Sequence, residues 1–344
     1  MIIHAMNTGS RTPPSQPYGQ VGENLDEKMD ENLDGIAPVP HLGVIRVAGA
    51  EAALFLQGQL TQDFLSLPAG EPRLAAFCSA KGRMQASFVG VKTGGDTGSE
   101  AEILLICNRD ILPATLKRLS MFVLRAKAKL TDASADFSLW GLAGDTIKMV
   151  ANYSYSTRAN GQNHLQDTPY LLKLPPAAQF ERALWLAPAG TAAPAGPPLS
   201  AEQWRWGEVM SGVATITGPT VDLYVPQMLN YESIGAVNFK KGCYPGQEVV
   251  ARSQFRGRLK RRAYLVHSDR PMAAGDEVFV SGDDTQPCGT VAQAAQATQG
   301  GSGGFDAIVS MQVSAALAGG LTIGAPAGPR AELLALPYAL LDDI

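Results

Sequence analysis

One short segment, Lys240 to Glu248, constrains this chain more than any other stretch of its sequence. It holds a single thiol, that of Cys243, between two glycines. Glycine reaches backbone angles that are closed to other residues, and proline fixes one angle, so Gly242, Pro245 and Gly246 predict a loop with a single shape. The fold must therefore provide a rigid turn that presents the cysteine.

The residues around this loop predict a reactive thiol. Residues 247–252 have the composition of a helix start, which places Cys243 just before a helix N-terminus. The helix dipole and the ammonium groups of Lys240 and Lys241 favour a thiolate at such a position. The alternative is a half-buried cysteine in an ordinary loop, because most cysteines in proteins are inert and pack as small hydrophobic residues.

The loop also resembles the signature of a known family, the YgfZ-type folate-binding proteins. These are relatives of the glycine-cleavage T-protein and of mitochondrial iron–sulfur assembly factors. A second block, residues 55–84, is similar to the N-terminal segments of the same family. Two separated blocks in the right order argue against a chance match, and the resemblance extends thinly over residues 41–340. The motif residues in the loop are Lys241, Gly242, Cys243, Tyr244, Gly246, Gln247 and Glu248.

Composition and charge exclude several classes of protein. The chain has 344 residues, of which 45% are hydrophobic, and this is enough for a large core and two or three domains. A net charge of −4 argues against an electrostatic grip on nucleic acid by the whole protein. The sequence has neither an apolar run of membrane-spanning length nor the pattern of a secretory signal. We therefore expect a cytoplasmic protein without a membrane partner.

The four cysteines, at positions 78, 107, 243 and 288, are far apart and never form a C-x-x-C pair. Their spacing predicts neither a disulfide framework nor a zinc site, so we expect no metal ligand. Cys107 ends an apolar strand pattern and is expected to pack in a core.

Hydrophobic patterning and the family resemblance together divide the chain into four parts. Residues 1–38 are polar and acidic and are expected to be disordered. The resemblance implies that residues 39–127 together with 199–260 form one discontinuous domain. The strand pattern restarts at residue 128, so residues 128–198 are expected to form an inserted α+β domain and linker. Residues 261–344 alternate short strands with glycine-rich turns, which favours an antiparallel barrel. The resemblance implies an α+β fold: a T-protein-like ring of a discontinuous folate-binding domain, an inserted ferredoxin-like domain and a C-terminal β-barrel.

The resemblance implies tetrahydrofolate, or a derivative of it, as the cofactor. A reduced folate has a hydrogen-bonding pterin ring, an aromatic linker and an anionic tail, so its site needs polar groups, an apolar wall and cations. Trp204 aligns with a tryptophan that the family places against folate, and the amides of Gln227 and Asn230 suit a pterin edge. The cations expected to meet the tail are Arg252, Arg256 and Arg258.

Each of these residues also has a purely structural interpretation. Trp204 shares a predicted helix with Trp206, and one of the two is expected to be ordinary core. A run of arginines is more often a solvated face than a binding site, although the concentration of charge at residues 252–262 is unusual in an acidic chain.

Two positions depart from the family pattern. Where the family has a glutamate after the tryptophan, this chain has Met210, and Leu42 replaces an N-terminal tryptophan associated with folate. Glu208 is near in sequence but is expected to point elsewhere on its helix. The pterin carboxylate is then unaccounted for, so weaker pterin binding or a different bound species is expected. The catalytic aspartate of the T-protein has no counterpart, which disfavours aminomethyl transfer.

Three functions remain open from the sequence. The favoured one is a folate-binding accessory protein that supports iron–sulfur enzymes, including those that thiomethylate tRNA, with Cys243 as its functional thiol. Those enzymes would be its clients, and contact with tRNA would be indirect. The second is a folate-dependent one-carbon transferase, so catalytic turnover stays open. The third is an adaptor that binds tRNA or an acidic protein through the basic residues 252–262.

Overall fold

The computed structural model of the chain describes residues 33–93, 102–151, 169–255, 258–282, 286–298 and 303–341. These residues form two antiparallel sheets and a closed barrel with short helices between them, so the α+β prediction is confirmed. Within these ranges, no helix is long and apolar enough to span a bilayer.

A five-stranded sheet occupies the centre of the molecule. Its strands are β2 (Leu42–Ala48), β3 (Pro72–Cys78), β4 (Met84–Thr93), β5 (Glu102–Asn108) and β6 (Lys129–Asp132). They lie in the order β3-β4-β5-β2-β6, and the hairpin expected between β3 and β4 is confirmed. Two helices follow strands of this sheet, α1 (Ala52–Gln57) after β2 and α2 (Leu112–Ser120) after β5.

A four-stranded sheet packs against the first. Its strands are β1 (Gly35–Pro38), β7 (Phe137–Ala143), β8 (Tyr170–Ala177) and β9 (Phe180–Pro188), in the order β1-β7-β9-β8. Helix α3 (Ala201–Met210) comes next, and a capping box between Ser200 and Gln203 closes its N-terminus, as the sequence predicts. Strand β1 is held on two sides, because Ile36 bonds through its backbone to Pro197 and Leu199 while β1 pairs with β7.

Two strands lie across the domain boundaries expected from the sequence. Strand β1 falls within the segment 1–38 that was expected to be disordered, yet it is paired and Leu33 beside it is fully buried. Strand β6 was expected to open the inserted domain at residue 128, yet it pairs with β2. Both expectations were wrong because the partners are distant in sequence, and local patterning does not reveal them. Residues 1–32 of that segment lie outside the described residues.

The C-terminal region is a closed antiparallel barrel, which confirms the prediction. Its strands are β10 (Arg261–Ser268), β11 (Glu277–Val280), β12 (Gly289–Gln296), β13 (Phe305–Gln312), β14 (Leu321–Ile323) and β15 (Arg330–Leu334). Helix α4 (Gln247–Phe255) precedes the barrel and begins at the residue predicted, and α5 (Val313–Ala318) follows β13.

Burial on both faces of the five-stranded sheet holds the molecule together. One face packs on α1, α2 and the chain between α3 and α4, and the other packs on the four-stranded sheet and α3. Strands covered on both sides are near-continuous apolar runs, as in β5. Trp206 of α3 ties the barrel to this core by donating to Asp306 at 2.7 Å, and Asp306 also meets His267 at 2.8 Å.

Candidate functional site

The cysteines differ sharply in their surroundings. Cys243 is exposed, whereas Cys78, Cys107 and Cys288 are buried, as was expected for Cys107. Burial raises the pKa of the Cys78 and Cys107 thiols to about 12, so neither ionises near neutral pH. Cys243 is therefore the thiol that a partner can reach.

Lys241 fixes the thiol loop from within. Its side chain is buried, and Nζ donates to the backbone carbonyls of Gln57 at 2.5 Å and Leu60 at 2.6 Å. The same nitrogen lies 4.6 Å from the centre of the buried Tyr244 ring. The lysine therefore closes the C-terminal end of α1 and anchors the loop to it.

Lys241 also contributes a charge that interacts with the thiol. Burial lowers the pKa of Lys241 to about 8, while Asp63 and Cys243 act in the opposite direction. The ammonium form therefore still dominates at neutral pH. The first N–H groups of α4 bond to the carbonyls of Tyr244 and Gly246, so the helix N-terminus is largely satisfied within the loop. At the start of α4, Gln247 is half-buried and Glu248 is exposed.

Two glycines lock the loop against the β3–β4 hairpin. Gly246 has φ +80°, and a Cβ there would lie 2.4 Å from the carbonyl oxygen of Ser79. Gly82 has φ +70°, and a Cβ there would lie 2.8 Å from the side chain of Val249. Both positions therefore require glycine. The expectation that Gly242 supplies a special angle was wrong, because its φ is outside the left-handed region and a Cβ would meet nothing within 4 Å.

The two sequence blocks that resemble one family meet at this loop. Thr61 donates to the carbonyl of Ala236 at 2.8 Å, and Gln62 donates to that of Gly235 at 2.5 Å. Residues 55–63 and the hairpin turn thus form the surface on which residues 235–249 rest. Distant parts of the chain are combined to position one thiol.

A second candidate site is a cavity between the two sheets and α3. The cavity measures ≈ 70 Å³ and shares Asn108, Glu208 and Thr215 with an outer vestibule of ≈ 380 Å³. Its walls are mostly apolar, with the polar groups of Glu208 and Arg182 among them. The vestibule carries two exposed cations, Arg109 and Arg205.

Glu208 provides the carboxylate of this cavity. Its Oε1 accepts a hydrogen bond from Trp204 Nε1 at 3.0 Å and lies 3.0 Å from His41 Nε2. Among the described residues both contacts fall on Oε1, which leaves Oε2 for a ligand. The expectation that Glu208 points elsewhere was wrong. Glu208 and Trp204 are four residues apart on α3 and therefore share a face.

Arg182 brings a buried positive charge to the same cavity. Its side chain is only 3% exposed, and its guanidinium carbon lies 4.6 Å from the centre of the Trp204 ring. Burial lowers the pKa of Arg182 to about 10, and Glu208 opposes that shift, so the group stays charged. Among the described residues, Arg182 Nε and His41 Nδ1 are buried without a hydrogen-bond partner. Arg182 lines the cavity and His41 lines the vestibule, so a polar ligand that occupies both would fit such atoms.

Trp204 supports this site and has no face open to a ligand. It is fully buried, and a Cβ on Gly141 would come within 2.5 Å of its ring. Its indole instead positions Glu208 and Arg182. Leu42, where a tryptophan was expected, lines the cavity, and Met210 packs on the adjacent core.

The two amides expected at a pterin edge lie elsewhere. Asn230 pairs with the backbone of Ala263, donating at 2.9 Å and accepting at 3.1 Å. Gln227 donates to the carbonyl of Val250 at 2.7 Å. Neither residue lines the cavity, because their amides hold the chain after α3 to the barrel and to α4.

The arginine run is also separate from the cavity. Arg252 and Arg258 are exposed, and Arg258 lines a different groove beside α4 and the barrel, which shares no lining residue with the cavity. Arg256 lies outside the described residues. Arg262 is buried in an ion pair with Glu232 at 2.8 Å. The charged surface expected at residues 252–262 is therefore smaller than the sequence indicates.

No family model matches the chain, but individual bacterial proteins do. The chain is 31% identical over 269 residues to the tRNA-modifying protein YgfZ of Sodalis glossinidius, covering 75% of this chain and 79% of that protein. It is 30% identical over 265 residues to the protein of the same name in Cronobacter sakazakii, covering 74% and 78%.

The fold has a close counterpart among solved structures. It matches glycine cleavage system aminomethyltransferase T from Bartonella henselae with a TM-score of 0.59, covering 89% of this chain and 86% of that one. Sequence identity to that protein is 13%, so the likeness concerns the fold. It confirms the T-protein-like architecture.

Proposed function

Because the chain belongs to the YgfZ family of tRNA-modifying proteins, we propose that it is a tetrahydrofolate-binding accessory protein for iron–sulfur enzymes that thiomethylate tRNA. One observation carries this proposal: an exposed thiol in a rigid loop and a cavity with a carboxylate and a buried arginine occur in the same chain. The client enzyme, rather than this protein, would contact the tRNA.

The chemical groups that line the cavity suit the head group of a reduced folate. The free oxygen of Glu208 can accept from ring N–H groups, and Arg182 can donate to a ring oxygen. The apolar walls suit the faces of the ring, and the vestibule cations Arg109 and Arg205 suit the anionic tail. A bound tetrahydrofolate would supply a carrier of one-carbon units. These residues replace the amides and the arginine run as the proposed folate contacts.

Cys243 would act on the client protein. Its thiolate can attack a client disulfide, forming a disulfide between Cys243 and the client and releasing the second client sulfur as a thiolate. Attack by a client thiolate on that mixed disulfide then releases Cys243. Each step exchanges one S–S bond for another, so no external oxidant is required. The exposure of Cys243 and the ammonium of Lys241 beside it support this role.

The test is a titration of the purified full chain with tetrahydrofolate and its one-carbon derivatives, with and without alkylation of Cys243. We expect saturable binding in both cases, because Cys243 does not line the cavity. Complementation of a strain that lacks the protein should require the free thiol. Absence of saturable binding for every reduced folate would contradict the proposal.

A folate-dependent one-carbon transferase is the second candidate. The observation that favours it is the contact between His41 and Glu208 at 3.0 Å, since such a pair can accept a proton from a bound substrate. Product formation by the purified protein with a one-carbon tetrahydrofolate separates the two candidates, because an accessory protein yields none.

A further inference from the structure

An exposed segment after α2 combines basic and large apolar side chains. Residues 117–129 contain no acidic residue, and Met121, Phe122 and Leu124 are 68%, 43% and 86% exposed. When several large apolar side chains are exposed side by side, they often mark a site of interaction with another molecule. The exposed cations of the segment are Lys117, Arg118, Arg125, Lys127 and Lys129.

This segment is held in place by the rest of the fold. The ring of Phe122 packs edge-on against Phe77 with 6.4 Å between ring centres. The backbone N–H of Lys127 donates to the carboxylate of Glu51 at 2.6 Å, and the backbone N–H of Glu51 donates to the carbonyl of Lys127 at 3.1 Å. Ordered backbone therefore presents the exposed side chains, which lowers the entropy that a partner must overcome.

Helix α1 connects the segment to the thiol loop. Glu51, just before the helix, holds Lys127, and Gln57 at its other end accepts from Lys241. A helix of this length, at 1.5 Å per residue, spans only about 9 Å. An interface of standard size buries about 800 Å² per partner and is roughly 30 Å across. One docked protein can therefore cover both the segment and Cys243, and Leu54 of the connecting helix is 57% exposed.

We propose that Leu54 and residues 117–129 form a docking surface for an acidic protein, which is thereby brought against Cys243. The inference deepens the proposed function and rests on it for the nature of the partner, an iron–sulfur client enzyme. Within the described part of the chain, the five cations of the segment form no ion pair, so partner carboxylates complement them.

The apolar side chains favour a protein over RNA as the occupant. Single-stranded nucleic acid is bound by aromatic rings on which bases stack, whereas the two most exposed apolar side chains here, Met121 and Leu124, are not aromatic. Aromatic residues, methionine and arginine are enriched in protein interfaces. Four residues of the docking surface belong to these classes, namely Arg118, Met121, Phe122 and Arg125.

The test measures binding of the full chain to the purified iron–sulfur enzyme that methylthiolates tRNA in the same organism, by surface plasmon resonance at low and high salt. Lys117→Glu combined with Lys127→Glu, and separately Leu124→Ser, should each weaken binding about tenfold or more, because interface hot spots carry effects of this size. The matched control is Leu317→Ser on α5, which is 75% exposed and should keep wild-type affinity. Unchanged thermal melting verifies that the variants are folded.

Equal affinity of the docking variants and the wild type, or no binding of the enzyme by the wild type, overturns the docking surface. The docking surface is also overturned if the docking variants bind the enzyme normally but lose binding to tRNA or to anionic phospholipid vesicles. The segment would then be a binding site for RNA or lipid. If reduced folates fail to bind while the docking variants still weaken enzyme binding, the proposed function fails and the docking surface holds.

Discussion

The thiol loop and the central cavity are built in opposite ways. The loop is a contiguous segment, residues 240–248. Its shape depends on Gly246 and on hydrogen bonds from Lys241. The cavity and its vestibule combine Glu208, Arg182 and His41, which come from three separate parts of the chain. Chemistry concentrated in one segment can be recognised in a sequence, whereas chemistry assembled by strand pairing cannot.

The two regions also differ in whether their polar groups have hydrogen-bond partners. In the loop, Lys241 bonds to two carbonyls and packs on Tyr244, while the thiol itself faces solvent. In the cavity and its vestibule, buried atoms of Arg182 and His41 have no partner among the described residues, and each such group costs about 1–3 kcal/mol. A ligand would therefore stabilise the cavity, whereas the loop is complete without one.

Replacement of the thiol gives the largest expected effect. Cys243→Ser should abolish complementation while it leaves folate affinity and the melting temperature almost unchanged, because an exposed side chain contributes little packing. Growth of the complemented strain, calorimetry and folate titration measure the three quantities. A collapse in stability would show that the cysteine is a packing residue and would remove the contrast between the regions.

A substitution in the cavity should weaken folate binding and leave the thiol unchanged. Glu208→Gln should weaken tetrahydrofolate binding by about 10- to 100-fold, because a hydrogen bond to a charged group contributes about 1.5–3 kcal/mol. The alkylation rate of Cys243 should stay the same. Glu202→Gln on the exposed face of the same helix is the matched control. Unchanged affinity in the Glu208 variant would exclude this cavity as the folate site.

The glycine contacts test how rigid the loop is. Gly246→Ala should lower the free energy of unfolding by about 1–3 kcal/mol, because alanine is strained at φ +80° and its Cβ meets the Ser79 carbonyl. Gly242→Ala should change it by less than about 0.5 kcal/mol, since nothing lies near. Urea unfolding of both variants decides the matter, and equal effects would mean that the Gly246 contact does not fix the loop.

The last expected effect is a pH dependence from Lys241. Its pKa is about 8 in the folded chain against an ordinary value of 10.5, so the unfolded chain binds more protons between these values. Stability of the wild type should therefore rise with pH across this window relative to Lys241→Met, by less than about 1.4 kcal/mol per pH unit. Urea unfolding at pH 7, 8.5 and 10 provides the measurement, and parallel curves would contradict the assignment.

Local patterns predicted local structure well. The helix that starts at Gln247, the cap at Ser200 and the β3–β4 hairpin were all expected, because each depends on residues within one segment. The pairing of β1 with β7 was missed because a four-residue strand among polar residues carries almost no signal of its own.

The candidate sites show the same difference between local and long-range features. The exposed cysteine loop was expected, whereas the roles of Glu208 and Arg182 were not. One signal for Arg182 was present, since it is a lone cation next to the apolar run Ala183–Leu186. A charged side chain is seldom fully buried unless it is paired with another group. His41 had no comparable signal, because its contact with Glu208 depends on chain segments that meet only in the fold.

Strand β1 has a consequence for the order in which the chain can fold during synthesis. It leaves the ribosome before every strand of the central sheet, yet its partner β7 follows all of them, and its other neighbour, Pro197–Leu199, comes later still. Until then an apolar strand has two unpaired edges, which are open to wrong pairing. Wrong pairing during synthesis is therefore expected to begin at Gly35–Pro38 more readily than at strands whose partners are adjacent in the chain.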